Sequence, residues 1–396
     1  MNYKLAFDEI KVGNLLIKNR IVASAISINK ANEDGSISEN IIDYYTNLAK
    51  NNIGLVVVGG ASVSNEGKVT KNEIHIKKTK AHTDGLKELS KSIKQFGTRA
   101  AIQICHVGAQ GNPKLSGYRT VGPSKYISPD IGIECHELSI SEIKKIEDQY
   151  ADAIQIVSDA GFDFFEIHIA HGYLLHEFIS PYTNRRNDEY GGDEINRFRI
   201  IKNILEKIKM KIDMKKIGFR ISGDDYISNG LNIKKQENLI KMLDDYNISY
   251  YTVTAGLYET AKYKYINMEN GNYWNYSQQL KKITKKIVIT QGGISSIKQG
   301  EKLLLEKKGD LFGMAQALIA DPEIITKTIN NNENSVFECL AHIKVGSCHK
   351  CRYLKQKDLN FSCVTPSAWC PPKNKKYQKP KDIRFWKNML SRIKNN

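Results

Sequence analysis

Long apolar runs are missing from this chain. The best candidate, residues 54–63, is about half of the ~20 residues that a membrane-crossing helix needs. The first ten residues lack the basic-then-apolar layout of a secretory leader. Both absences lead to the expectation of a cytoplasmic protein with no transmembrane segment. No strand-like run is followed by the glycine fingerprint of a dinucleotide fold, and no P-loop pattern is present, so a separate nucleotide-binding domain is not expected. Cysteine is scarce and odd in number, seven in 396 residues. That reads as the thiols of a reducing compartment rather than a disulfide framework.

Charge is plentiful but unevenly placed. Lys and Arg number 59 against 43 Asp and Glu, a net charge of +16, and half of the excess sits in residues 371–396. A charge run of this kind is ordinarily a solvated face, so nucleic acid is not an expected partner. Within the basic tail, Ile383, Trp386, Met389 or Leu390, and Ile393 fall at helical spacing and predict a short amphipathic helix. Such a helix would pack on the body of the protein or a neighbouring subunit of a homo-oligomer, touch an anionic membrane surface, or meet an acidic partner protein.

The body of the chain alternates between two patterns. Short β-rich runs occur at 20–26, 54–61, 99–106, 162–168, 216–222, 250–256, 286–293 and 309–315, several of them apolar throughout, as strands buried on both faces are. Helical patterns lie near 38–51, 81–96, 141–160, 194–209, 233–246, 275–285, 295–307 and 321–330, with Ser141 and Ser295 as helix-start signals. Eight such units predict a (β/α)8 TIM barrel, with a doubly wound sheet as the lesser alternative. The expected domains are a barrel over residues 1–335 and a C-terminal extension over 336–396.

A barrel places its chemistry at the carboxyl ends of the strands. Three following loops are long: 107–140, 169–193 and 257–274, the last holding Tyr258, Tyr263, Tyr265 and Tyr273. The strongest local signal is residues 166–176, Glu-Ile-His-Ile-Ala-His-Gly-Tyr-Leu-Leu-His. Two imidazoles three residues apart, His168 and His171, can hydrogen-bond one carbonyl oxygen, and the phenol of Tyr173 can deliver a proton beside it. One buried and one surface histidine, or a two-histidine metal site lacking a third ligand, are the other readings of the spacing.

The segment 161–199, with Ser-Pro-Tyr-Thr-Asn-Arg-Arg and Asp-Glu-Tyr-Gly-Gly inside it, resembles the signature of the Old Yellow Enzyme family of flavin-dependent reductases. The resemblance extends over about residues 5–330, through Lys18 to Val22, Gln103 to His106, Gly218 to Arg220, Gly292 to Ile294 and Ala317 to Pro322. It implies an FMN-binding barrel that moves hydride from NADH or NADPH to the activated double bond of an electron-poor alkene. By the same resemblance, His168 and His171 hold the substrate carbonyl oxygen and Tyr173 donates the proton. Ser27, Gly60, Gln103 and Arg220 line the flavin, with the Arg220 cation beside the flavin edge that gains negative charge. Gly292, Gly293, Ala315 and Gln316 surround the phosphate. Gln316 stands where relatives carry arginine, and it supplies a hydrogen bond without charge. Ala109, in His106-Val107-Gly108-Ala109-Gln110, likewise replaces an arginine of the mouth. Two alternatives follow from these departures: a flavin-linked dehydrogenase running the reverse chemistry, or a barrel that has lost FMN.

The extension carries Cys339, Cys348, Cys351, Cys363 and Cys370. Cys348, Cys351 and Cys363 resemble three positions of the iron–sulfur motif of the dienoyl-CoA reductase branch, with Lys355 at the fourth. An iron–sulfur cluster, a zinc site completed by another ligand, and an unoccupied remnant are the three readings.

Overall fold

Residues 3–129, 131–260, 272–337 and 339 are described by the computed structural model of the chain. Cys348, Cys351, Cys363 and the amphipathic tail lie outside these residues. Eight parallel strands form the core: β1 (Ile21–Ala23), β2 (Leu55–Ser62), β3 (Arg99–Cys105), β4 (Phe164–Ile169), β5 (Ile217–Ser222), β6 (Tyr250–Thr254), β7 (Ile287–Gln291) and β8 (Leu311–Met314). Each pairs with its neighbours in chain order, and β8 pairs with β1, so the sheet closes on itself. This is the predicted (β/α)8 barrel, and every strand falls within a residue or two of a predicted run, apart from early endings in β1 and β7.

The helices between strands bury one face against the outside of the barrel. The helix Ile140–Asp159 begins at Ser139 rather than Ser141. The Ser139 hydroxyl accepts the Glu142 amide while the Glu142 carboxylate accepts the Ser139 amide, a reciprocal cap set by the Ser-x-x-Glu spacing. Ser296, not Ser295, caps the helix Ile297–Leu305 in the same position. The predicted helix near 321–330 is instead two short pieces, Gln316–Ala320 and Ile324–Ile329. Pro322 between them cannot continue a helical ladder.

Alternation along each strand decides what fills the barrel. At the amino ends, Val22, Leu55, Val57, Ala101, Phe164, Tyr250, Ile289 and Leu311 form one apolar cluster. Val12 and Ile17 of the hairpin Ile10–Val12/Leu15–Ile17 pack into it and cover that end. Two residues further along, the same inward rows turn polar: Gln103 on β3, Glu166 on β4, Arg220 on β5 and Thr252 on β6. Among the described residues, no helix is long and apolar enough to cross a membrane.

Candidate active site

Strand register brings the polar row together. Gln103 lies opposite Glu166, Arg220 opposite both His168 and Thr252, and Thr254 ends β6 two residues on. The buried Gln103 amide donates to Glu166 Oε1 at 2.7 Å, and the Thr252 hydroxyl donates to Oε2 at 2.6 Å. The Arg220 guanidinium lies within electrostatic reach of this carboxylate. Burial pulls its pKa down, and the Glu166 charge opposes that pull. Its contacts are weak: Nη1 to the Ala25 carbonyl at 3.3 Å and Nη2 to Thr254 Oγ1 at 3.5 Å. The buried Nε has no acceptor among the described residues. A half-buried cation held this loosely is costly unless an anionic or acceptor-rich ligand completes it.

His168 ends the inward row of β4 and is 2 % exposed. The chain then turns sharply, with positive φ at both His171 (62°) and Gly172 (74°). A left-handed histidine is strained unless its surroundings hold it. Here they do, since His171 Nδ1 lies 3.2 Å from His168 Nε2 and His171 Nε2 lies 2.8 Å from Thr254 Oγ1. The turn also seats Tyr173, whose ring centroid is 4.7 Å from that of His168. Burial drives the Tyr173 phenol well above its ordinary pKa, so it stays protonated. Its hydroxyl lies 3.0 Å from that of Tyr258. The three predicted catalytic side chains are thus one cluster.

Ser27 follows β1 and meets Gly60 at the end of β2, where φ is +63° and an added Cβ would come within 3.1 Å of Ser27 Cβ. The Ser27 hydroxyl reaches Asn29 Oδ1 at 3.0 Å and Glu73 Oε1 at 3.2 Å, so its single proton is committed within the protein. Glu73 is buried, and desolvation raises its pKa to about 7 against the pull of the Val69 amide, Ser27 and Lys68. Gly292 has φ +96°, and an added Cβ would sit 2.3 Å from the Tyr273 ring. Packing alone therefore accounts for that glycine. Gly293 follows it at φ +69°, and Ala315 and Gln316 lie at the end of the neighbouring β8.

The long signature has a structural reason. Asn184 Nδ2 donates to the carbonyls of Phe178 and Tyr190, and Arg186 Nη1 donates to those of Pro123 and Leu138. These residues tie the loop after β4 to the loop after β3, which together wall the mouth. Ala109, where the resemblance expects arginine, is buried, and its amide donates to Glu177 Oε1 at 2.9 Å. Several members of the site had gone unassigned: Glu166, Thr252, Thr254, Glu73 and the partner role of Tyr258. Glu166 was visible two places before His168 on the same row, and Thr252 and Thr254 repeat that spacing on β6.

Residues 6–335 match the family described as NADH:flavin oxidoreductase / NADH oxidase. The chain belongs to this family, the FMN-dependent Old Yellow Enzymes. It is 34% identical over 340 residues to an NADH oxidase of Thermoanaerobacter brockii, covering 85% of this chain and 52% of that protein. It is 28% identical over 317 residues to an NADPH dehydrogenase of Bacillus subtilis, covering 80% of this chain and 91% of the relative. A solved 2-naphthoyl-CoA reductase in complex with 2-naphthoyl-CoA superposes with a TM-score of 0.80 at 26% identity, over 86% of this chain and 54% of that one. The chain thus spans about half the length of the first and third of these proteins and nearly all of the second.

Proposed function

We propose that the protein is an FMN-dependent ene-reductase that uses NADH or NADPH to reduce the activated C=C bond of an electron-poor, carbonyl-type alkene. The observation that carries this is the Arg220 guanidinium, half-buried in the mouth, its Nε buried without an acceptor among the described residues, and lying within one hydrogen-bonded group with Thr254, His171 and His168. A cation, an amide and two imidazoles gathered on the inward rows of β3, β4 and β5 and the turn after β4 suit a ring with acceptor atoms on one edge and a carbonyl ligand over its face. Gln103 and Arg220 would hold that edge, Ser27 and Gly60 the opposite side, and Gly293, Ala315 and Gln316 the phosphate.

Bound FMN supplies the hydride relay from the nicotinamide to the alkene β-carbon. The protein's own groups do the rest. His168 and His171 bind the substrate oxygen and stabilise the negative charge that gathers on it. Because the two rings already bond each other at 3.2 Å, the entering oxygen exchanges for that contact. Tyr173 holds the proton for the α-carbon, kept in place by its raised pKa. Arg220 offsets negative charge on the reduced edge, more strongly for being desolvated.

The test is direct. Purified protein should release FMN at near-equimolar yield on heating, and should oxidise NADH or NADPH anaerobically only when an alkene such as 2-cyclohexenone is present. A protein that neither retains nor takes up FMN overturns the reading.

A further inference from the structure

Tyr258 lies on the loop that follows β6, 85 residues from Tyr173. The two hydroxyls are 3.0 Å apart, and the rings are nearly parallel, at 20° with centroids 6.1 Å apart. Tyr258 is 36% exposed, while Tyr173 is packed against the buried His168. Residues 257–260 of that loop are held on both sides. The Leu257 amide donates to Thr260 Oγ1 at 2.8 Å, and Thr260 Oγ1 donates to the Asp225 carbonyl at 2.9 Å. On the other side the Tyr126 hydroxyl donates to Glu259 Oε1 at 2.7 Å. Asp225 is itself buried and held by Ser222, His176 and the Leu231 amide. Tyr258 is therefore held with one end at solvent and its hydroxyl on the hydroxyl of the half-buried Tyr173.

We propose that Tyr258 is a positioning residue that relays solvent protons to Tyr173. The proposal rests on the reading of Tyr173 as the proton donor. In each turnover the Tyr173 O–H bond breaks as the C–H bond forms at the substrate α-carbon. The Tyr173 oxygen then takes the proton of the Tyr258 hydroxyl, and Tyr258 takes one from water. These are proton transfers without a change of oxidation state: the former π pair of the alkene forms the α-carbon bond to the proton, and the two electrons of the reduction come with the hydride that bound FMN would supply to the β-carbon. Partial desolvation disfavours the Tyr173 phenolate, so a donor at hydrogen-bond distance shortens its life.

The experiment uses FMN-loaded enzyme, pre-reduced and mixed with 2-cyclohexenone in a stopped-flow instrument, for wild type, Tyr258→Phe and Tyr173→Phe. The ratio of the oxidative to the reductive half-reaction rate should fall about tenfold in Tyr258→Phe, and its proton inventory in H2O/D2O mixtures should change from curved to linear. In flavin-free protein labelled with 13Cζ-tyrosine, the Tyr173 resonance, assigned by its loss in Tyr173→Phe, should shift in Tyr258→Phe. An unchanged rate ratio with a curved inventory and an unmoved resonance overturns the relay while leaving Tyr173 as donor. A Tyr173→Phe enzyme with full oxidative rate overturns the donor assignment instead.

Discussion

The two ends of the barrel are made by the same strands and have opposite chemistry. On β4 the inward row reads Phe164, Glu166, His168; on β6 it reads Tyr250, Thr252, Thr254. The first member of each row lies in the apolar cluster under the Val12 and Ile17 hairpin, and the last lies in the histidine cluster. Two residues along a strand advance about 7 Å, so within two such steps the interior passes from hydrocarbon to a network of imidazole, carboxylate and guanidinium. The apolar end supplies the burial that closes the barrel. The polar end leaves Arg220 Nε without an acceptor among the described residues and His171 in a left-handed conformation. Stability is thus concentrated at one end, and strain and unmet hydrogen bonding at the other.

This division can be broken at either end. The largest effect is expected from His168→Ala combined with His171→Ala. Phenol affinity, followed by the long-wavelength absorbance of the flavin complex, should fall about 10³-fold through loss of two strong hydrogen bonds, with FMN content kept. Normal phenol binding in that variant would remove the histidine pair from the oxygen site. Next comes Phe164→Ala at the apolar end. It should cost about 3–5 kcal/mol in urea denaturation and leave the phenol dissociation constant of the folded protein alone. A parallel collapse of phenol affinity would mean that the two ends are not separable.

A smaller effect concerns Glu73, whose pKa is raised to about 7 by burial. The folded state prefers the protonated acid. This contribution to stability is fully present below the unfolded value, about 4.3, and is lost as pH rises through about 7. Glu73→Gln should therefore flatten the dependence of unfolding free energy on pH, by roughly 3 kcal/mol between pH 4 and 8. Equal slopes for the two proteins would show that Glu73 is not held protonated. The smallest change is Arg220→Lys, which keeps the charge and loses the planar fork. FMN affinity should weaken about tenfold, read by flavin fluorescence on dilution. An unchanged affinity would reduce Arg220 to a point charge.

Much of this was legible along the chain because one-dimensional patterns carry it. Continuous apolar runs marked the buried strands, and a serine ahead of an amphipathic run marked a helix start, although the cap is Ser139 and not Ser141. The hairpin at residues 10–17 gave no comparable signal, since three-residue strands are too short to show alternation. The helix Leu174–Ile179 is buried on every side and so has no polar face to set a period. His168, His171 and Tyr173 could be found together because one turn carries all three. Glu73 could not, because its carboxyl meets Ser27 across 46 positions.

The sequence by itself determined the eightfold alternation, the end of the barrel that bears the chemistry, and the side chains of each inward row, since these follow from periods of two and 3.6 residues. Only the tertiary structure decided that Thr254 orients His171, that Glu166 joins Gln103 to Thr252, and that Tyr258 meets Tyr173. Those pairs come from different strands and loops. Their contact depends on the register in which the closed sheet sets its strand ends, and no local pattern encodes that register.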